Sequence, residues 1–183
     1  MSVFELWIPI VASGIAVHVL STLAWTVLPH HRPEWQKLPV EDAFQDLIAD
    51  QKVPAGQYMI PFAASGKECN SEEYAAKDKK CRGMLVLWAT PPNMGKAIGF
   101  TLLYFLFSSF LIGYLASIAL APGATFVRVF QFVFTTALLT FCAAHFPHVF
   151  WFRRKIAMEL LDGLVFALAS GTIYGLLWPA LTT

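Results

Sequence analysis

The sequence predicts an all-α membrane protein with four transmembrane helices and one polar insertion between the first and second of them. Of its 183 residues, 57% are hydrophobic and only 14% are charged, whereas about a quarter of an average soluble domain is charged. Four windows are each apolar over the roughly 20 residues that cross a bilayer core of about 30 Å. The net charge of +1 lacks the basic excess typical of nucleic-acid binders, so we expect no nucleic-acid partner.

The apolar windows cover residues 4–28, 97–120, 125–152 and 156–179. They divide the chain into a first transmembrane helix (residues 1–28), a polar subdomain (29–96) and a segment of three transmembrane helices (97–183). A tight turn signal, Ala121-Pro122-Gly123-Ala124, joins the second and third windows and predicts an antiparallel hairpin. No basic region precedes the first window, and the window is too long for a cleaved signal peptide.

The polar insertion, residues 29–96, holds nine basic and nine acidic residues. Because these charges cancel, the insertion is more typical of a compact subdomain than of a lipid-binding basic patch. Val40, Phe44 and Leu47 recur at helical spacing and predict a short amphipathic helix over residues 40–51. Residues 57–62 and 84–89 are predicted to be short strands that can pair as a two-stranded hairpin.

The basic residues predict which end of the bundle faces the cytoplasm. Lys and Arg in short loops prefer the cytoplasmic side of a membrane, and Arg153-Arg154-Lys155 lies between the third and fourth windows. In a chain with four spans, this cluster shares a side with the polar insertion. We therefore expect loop 29–96 to be cytoplasmic and both termini to be outside.

The expected states of the three cysteines follow from this orientation. Cys69 and Cys81 flank a Lys/Glu-rich segment, and a cytoplasmic location favours free thiols. An external location would allow a disulfide, so the sequence leaves their pairing open. Cys142 lies inside the third window and is predicted to be a small buried apolar residue.

Small residues at a spacing of four predict where the helices pack closely. They form one stripe on the fourth helix and shorter stripes on the first and second. Lipid tails are as apolar as leucine, so helices in a bilayer associate through close packing and polar contacts. Such stripes fit either a neighbouring helix or another subunit. The predicted packing residues are Gly163, Ala167, Gly171, Gly175, Gly14 and Gly113.

Three histidines in the apolar windows are the candidate cofactor ligands. His18 lies near the middle of the first helix, and His145 and His148 flank Pro147 near the end of the third. A neutral imidazole can ligate haem iron or hydrogen-bond a quinone carbonyl. The alternative is a histidine that simply hydrogen-bonds a neighbouring helix. The different depths of His18 and His145 argue against a haem held by both.

Other polar residues lie at the ends of the helices. Glu159 and Asp162 begin the fourth helix, where the helix dipole favours carboxylates, and we expect them to pair with the basic cluster that precedes them. Glu159 with His145 or His148 also suggests a path for protons or cations. His30 and His31 can bind a metal or an anionic head group, although we favour anchoring of the helix end at the membrane interface.

Several strings resemble a group of small bacterial four-helix integral membrane proteins for which no activity is established. The likeness spans most of the chain. It implies a location in the bacterial inner membrane and carries over no catalytic residue. The strings are Leu28-Pro29-His30-His31-Arg32 with Trp35 and Leu38-Pro39, then Pro92-Asn93-Met94-Gly95, Asp162-Gly163 and Gly175-Leu176-Leu177-Trp178-Pro179.

The sequence contains no phosphate-binding Gly-rich loop, nucleophile elbow, His-Glu-x-x-His or Cys-x-x-Cys motif, so we predict no catalytic residue, no metal site and no obligatory cofactor. The leading hypothesis is a non-enzymatic accessory or scaffold subunit of a larger bacterial membrane complex, for example an energy-transducing one. Its expected partners are the lipid bilayer and other membrane subunits or further copies of the chain. One alternative is a small redox or ligand-binding protein that holds haem or quinone through His18 and His145/His148. Another is a small transporter that uses Glu159 and histidines.

Overall fold

The computed structural model describes residues 1–180 and is 68% helical, with one small two-stranded sheet. Four helices are long and apolar enough to cross a membrane: Val3–Thr26, Met94–Ala119, Phe126–Phe152 and Ala157–Leu176. The prediction of four such helices is therefore confirmed. The last three residues of the predicted 97–183 segment, and with them the C-terminus, lie outside the described residues.

The described chain divides into two compact units, a bundle unit that comprises Met1–Trp35 and the residues from Asn93 onward, and an insertion unit, Gln36–Pro92. A 3-10 turn, Val3–Leu6, leads into the first helix. The α-helices are α1 (Trp7–Thr26), α2 (Glu41–Asp50), α3 (Gly66–Cys69), α4 (Glu72–Lys80), α5 (Met94–Ala119), α6 (Phe126–Phe141), α7 (Phe146–Phe152) and α8 (Ala157–Leu176), and the strands are β1 (Gly56–Ile60) and β2 (Gly83–Leu87).

The bundle unit packs α1, α5, α6 and α8 against one another in antiparallel order. α8 lies along both α1 and α6, and α1 also lies along α5. Gly163 near the start of α8 meets Phe141 at the end of α6, whereas Gly175 near the end of α8 meets Phe126. One end of the bundle is called the loop end. It contains residues 27–35, the start of α5, residues 142–156 and the start of α8. The opposite end holds Met1 and the turn between α5 and α6.

The third apolar window is an interrupted helix. α6 ends at Phe141, a 3-10 turn covers Ala143–His145, and α7 begins with Pro147 in its first turn. Proline has no N–H and clashes with the carbonyl group four residues earlier, so a helix tolerates it only in its first turn. The chain therefore leaves the α-helical path before Pro147.

Small residues allow α8 to approach its neighbours closely. A Cβ atom added to Gly163 would lie 2.5 Å from Cys142 Sγ and 2.9 Å from the Phe141 carbonyl oxygen. A real Cβ atom does not approach another heavy atom within 3.0 Å, so the contact requires a glycine. The other predicted packing residues are also covered by a neighbouring helix: Gly14, Gly113, Ala167, Gly171 and Gly175.

Buried hydroxyl groups connect the helices inside the bundle. Ser13 Oγ on α1 donates to Ser170 Oγ on α8 at 3.0 Å. The Tyr174 hydroxyl donates to the Ser109 carbonyl oxygen at 2.6 Å, and Ser109 Oγ donates to the Ile10 carbonyl oxygen at 2.8 Å. Polar contacts of this kind hold helices together where lipid removes the hydrophobic drive for their association.

The insertion unit contains the predicted amphipathic helix and the predicted strand pair. α2 lies one residue inside each predicted boundary. β1 and β2 pair in antiparallel register, with Tyr58 opposite Leu85, and both strands begin one residue and end two residues before the predicted positions. α3 and α4 connect them. Cys69 and Cys81 are exposed free thiols.

Candidate metal centre at the loop end

A histidine–carboxylate cluster forms where the chain leaves α1 and where α8 begins. Pro29 lacks the N–H that would continue the helix, and a 3-10 turn soon follows it. This change of direction brings His30, His31 and Glu34 into one short segment. Asp162 reaches the same place from the second turn of α8.

Two histidines share the carboxylate of Asp162. Its Oδ1 lies 2.9 Å from His30 Nε2, and its Oδ2 lies 3.0 Å from His31 Nε2. The other ring nitrogen of His31, Nδ1, lies 2.7 Å from Glu34 Oε2. Asp162 is 9% exposed and His31 is 5% exposed. The polar atoms therefore interact in surroundings from which water is largely excluded, where each contact is stronger than in water.

Two carboxylates determine the protonation of His31. A neutral imidazole has one N–H and can donate to one carboxylate, whereas the protonated ring can donate to both. Burial of the ring opposes its protonation, but the hydrogen bonds to Glu34 and Asp162 outweigh burial and raise the pKa of His31 above its usual value of 6.5. The two carboxylates thus favour the protonated, positively charged form of His31.

Packing fixes the orientation of the cluster. The rings of Trp25 and His31 stack with centroids 3.9 Å apart and planes 10° from parallel. The Lys155 Nζ donates to the Pro33 carbonyl oxygen at 3.1 Å and ties the histidine segment to the chain that enters α8. The histidine rings are therefore held in place by the protein itself.

The donor atoms suit a divalent transition-metal ion. One ligand atom each from His30, His31 and Asp162 lie within 4.8 Å of one another. Zn²⁺ takes nitrogen and oxygen ligands at about 2.0–2.2 Å in tetrahedral geometry, which separates neighbouring ligand atoms by about 3.3 Å. A bound Zn²⁺ would bring the three atoms to that spacing. Glu34 would then hold the second nitrogen of His31, as carboxylates commonly do for metal-ligating histidines.

Glu159 forms a second cluster one turn earlier on α8. Its Oε1 accepts a hydrogen bond from Arg154 at 2.7 Å, and its Oε2 lies 3.0 Å from His145 Nδ1. The expected pairing with the basic cluster is therefore observed for Glu159. It is not observed for Asp162, whose two oxygens both face histidines.

The three histidines predicted as cofactor ligands lie in different settings. His18 packs on Phe105 with ring centroids 6.3 Å apart, and its buried Nδ1 has no hydrogen-bond partner within residues 1–180. His145 belongs to the Glu159 cluster, and the His148 ring lies 5.8 Å from that of Phe152. None of the described contacts brings His18 together with either of the other two.

Sequence reasoning considered His30, His31 and Asp162 separately and did not join them. His30 lies 132 positions and His31 lies 131 positions before Asp162 in the chain, and no local motif links them. The signal that could have joined them is topological, because the end of the first span and the start of the fourth must lie at the same end of a four-span bundle. The prediction that His30 and His31 anchor the helix end at the membrane interface did not use that signal.

Comparison of the chain with protein-family models, with curated proteins and with solved structures finds no match.

Proposed function

We propose that this is a multi-pass membrane protein that binds one divalent transition-metal ion at the loop end through His30, His31 and Asp162. One observation carries the proposal: two imidazole nitrogens and a carboxylate converge within 4.8 Å. The contact between His31 Nδ1 and Glu34 supports it, because such a contact leaves Nε2 as the metal-facing nitrogen.

The charges of the cluster favour a divalent ion. Asp162 and Glu34 bring two negative charges into a buried site, and an unpaired buried charge is costly. One ion of charge +2 neutralises both carboxylates. A donor set of two nitrogens and one oxygen suits Zn²⁺, Fe²⁺ or Co²⁺ better than Mg²⁺ or Ca²⁺, which prefer oxygen ligands throughout.

We further infer that the protein spans a bacterial inner membrane with its loop end in the cytoplasm and both termini outside. The basic cluster Arg153-Arg154-Lys155 supports this orientation, since such clusters in short loops stay on the cytoplasmic side. With this orientation, the proposed site takes its metal from the cytoplasm. The resemblance to small bacterial membrane proteins is the source of the bacterial assignment.

Metal titration of the purified protein tests the proposal. We expect the protein, stripped with a chelator in detergent, to bind one Co²⁺ with the d–d absorption bands of a nitrogen/oxygen site. Asp162→Asn should abolish or greatly weaken binding, and Glu34→Gln should weaken it about 10–100-fold. Because the metal competes with protons for imidazole nitrogens, the apparent affinity should rise with pH.

Glu159→Gln is the matched control, because it removes a carboxylate from the same helix, three positions away and outside the metal cluster. This variant should bind Co²⁺ as the wild type does. Equal affinity of the wild type and Asp162→Asn, or no stoichiometric binding by the wild type, would overturn the proposal.

The role of an accessory subunit in a larger membrane complex stays a second proposal, and a metal-binding subunit is compatible with it. The exposed aromatic side chains of α7 favour it, since Phe150 is 75% and Trp151 is 82% exposed at the loop end, and aromatic residues are enriched in protein interfaces. Native purification in mild detergent should recover other membrane chains. Migration as a lone monomer would count against this role.

A further inference from the structure

A pocket of about 360 Å³ at the loop end is lined by charged and aromatic side chains. Its walls come from the end of α1, the 3-10 turn that follows it, the chain between α7 and α8, and the first turn of α8. These parts are distant in the sequence, so the packing of the bundle builds the pocket. The lining residues are Trp25, Glu34, Trp35, Phe152, Arg153, Arg154, Lys155 and Glu159.

The whole basic cluster between the third and fourth spans lines this pocket. Arg153, Arg154 and Lys155 are consecutive in the chain, and each contributes to the wall. Arg153 ends α7 with φ 51° and ψ 33°, in the left-handed region that residues with a side chain rarely adopt. The chain changes direction there and then enters α8.

Only Arg154 of the three cations pairs with a carboxylate in the described chain. It donates to Glu159 Oε1 at 2.7 Å. The Lys155 Nζ donates to the Pro33 carbonyl oxygen at 3.1 Å, which leaves its charge without a counter-ion. The guanidinium group of Arg153 makes no hydrogen bond or ion pair within residues 1–180.

Both carboxylates of the pocket are already engaged by the protein. Glu34 Oε2 lies 2.7 Å from His31 Nδ1, and Glu159 contacts both Arg154 and His145. The two side chains are only 13% and 14% exposed. Three cations against two engaged carboxylates leave an excess of one positive charge, so the pocket favours an anion with one negative charge.

The start of α8 adds to this preference for an anion. The helix begins at Ala157, directly after the basic cluster, and no side chain of its N-cap residue, Ile156, caps it. The N–H groups of a first helical turn have no partner within the helix. Together with the positive end of the helix dipole, they favour an anion beside the basic cluster.

The pocket lies at the level of the lipid head groups. Trp25 is one residue from the end of the first span, Phe152 is the last residue of the third, and Glu159 is the third residue of the fourth. Aromatic residues in such positions mark the interface between the membrane and water. Basic pockets between spans on the cytoplasmic side bind anionic lipid head groups.

We propose that this pocket binds the phosphodiester group of an anionic phospholipid with an uncharged head, such as phosphatidylglycerol. One phosphodiester carries one negative charge, which matches the excess charge of the pocket. A zwitterionic head would bring an ammonium group next to Arg153 and Lys155, where both carboxylates already have partners. The site goes beyond the metal cluster and needs no metal ion, although Glu34 belongs to both.

Native mass spectrometry of the full chain tests this proposal, because it counts bound lipids. The protein, purified in detergent and stripped of metal with a chelator, is titrated in parallel with phosphatidylglycerol, phosphatidylcholine and phosphatidylethanolamine with identical tails. We expect one phosphatidylglycerol to bind about tenfold or more tightly than either zwitterionic lipid. Added salt should weaken this binding, and inorganic phosphate, which lacks tails, should not displace the lipid.

Two arginines provide a matched pair of variants. Arg153 lines the pocket, whereas Arg32 is an exposed arginine of the loop end and is not among the pocket residues. Arg153→Gln should weaken phosphatidylglycerol binding about fivefold or more, with Co²⁺ affinity unchanged. Arg32→Gln removes an equal charge and should leave lipid affinity unchanged. Arg153→Gly should weaken binding equally, and because glycine adopts a positive φ freely, the turn keeps its fold.

Four outcomes would overturn the proposal. Equal affinity for phosphatidylglycerol and either zwitterionic lipid would show that net charge is not recognised. Displacement by inorganic phosphate would identify a site for the free ion. Unchanged binding by both Arg153 variants, or a loss in Arg32→Gln as large as in Arg153→Gln, would remove the pocket as the site. The metal proposal, which is tested with Co²⁺ alone, stands or falls separately.

Discussion

The carboxylate of Asp162 lies within hydrogen-bond distance of His30 and His31, which are 132 and 131 positions away in the sequence. It lies on a helix that is apolar enough to span a membrane, where a carboxylate needs partners. His30 and His31 provide those partners, and Glu34 satisfies the remaining nitrogen of His31. If a single member were removed, the others would stay buried without their partners, which costs more than the lost contact itself.

The raised pKa of His31 predicts how the stability of the metal-free protein depends on pH. A group whose pKa is higher in the folded than in the unfolded state stabilises the fold fully below the unfolded value, here 6.5. That contribution is lost as the pH rises through the folded value. In the presence of a chelator, the midpoint of thermal unfolding should therefore fall as the pH is raised from about 6.

Glu34→Gln tests the cause of this dependence. The titratable groups that contact His31 among the described residues are Glu34, Asp162 and His30, and the ring of Trp25 stacks on it. Without the Glu34 charge, the folded pKa of His31 should be lower, so the decline in the unfolding midpoint should begin at the same pH but be smaller and end at lower pH. Identical pH profiles for the variant and the wild type would contradict the assignment of this titration to His31.

At the scale of elements, α8 makes close contacts with both α1 and α6. Its glycines face α6, and Ser170 reaches Ser13 of α1. The tightest approach is at Gly163, where α6 ends and the 3-10 turn begins. The same helix supplies Asp162, so the contact at Gly163 also sets the position of the metal cluster.

Gly163→Ala is therefore expected to destabilise the bundle. The added Cβ would lie 2.9 Å from the Phe141 carbonyl oxygen, a backbone atom that cannot rotate away. Overpacking of this kind costs about 1–3 kcal/mol. The loss should appear as a lower unfolding midpoint in detergent and as weaker Co²⁺ binding.

Gly99→Ala on α5 is the control, because no heavy atom lies within 4 Å of its added Cβ. Alanine also favours a helix over glycine by about 1 kcal/mol. This variant should be as stable as the wild type or more stable. If Gly163→Ala behaves in the same way, the close approach of α6 to α8 is not a constraint on the fold.

At the scale of the whole molecule, a bundle unit of apolar helices and a separate polar insertion unit are built from one chain. The insertion carries two exposed thiols, Cys69 and Cys81. These thiols report on the side of the membrane that the insertion occupies. A third cysteine, Cys142, is partly buried in the bundle unit.

Thiol labelling tests the proposed sidedness. In a Cys142→Ser background, a membrane-impermeant maleimide should leave Cys69 and Cys81 unmodified in intact cells, because the proposed orientation puts the insertion in the cytoplasm. Permeabilised cells provide the positive control, in which both thiols should react. Labelling in intact cells would reverse the orientation and would place the metal site on the outer side.

Patterns within short segments predicted much of this fold. The four spans, α2 and the two strands follow from local hydropathy, periodicity and turn residues, and their boundaries agree with the structure to within a few residues. These features depend on residues that are neighbours in the sequence. The third window was predicted as one span, whereas the structure interrupts it between α6 and α7, because the position of the lost hydrogen bonds depends on packing as well as on Pro147.

The candidate site was much less predictable. His18, His145 and His148 were singled out because each lies alone in an apolar window, yet the described contacts do not unite them. His30 and His31 lie at a helix end, where polar residues are common, and so gave a weaker signal. Their significance depends on Asp162, which a single sequence does not connect to them.

The sequence by itself determined that this chain has four apolar spans and one charged insertion, because the cost of exposing backbone groups to lipid ties apolar length directly to helix formation. Only the tertiary structure decided which carboxylate faces which histidine. Two side chains more than 130 positions apart meet only when helix packing brings them together, as α8 and the end of α1 do at Asp162 and His31. Helix packing thus places a carboxylate beside two histidines at the end of a helix, and the three together form a candidate metal centre.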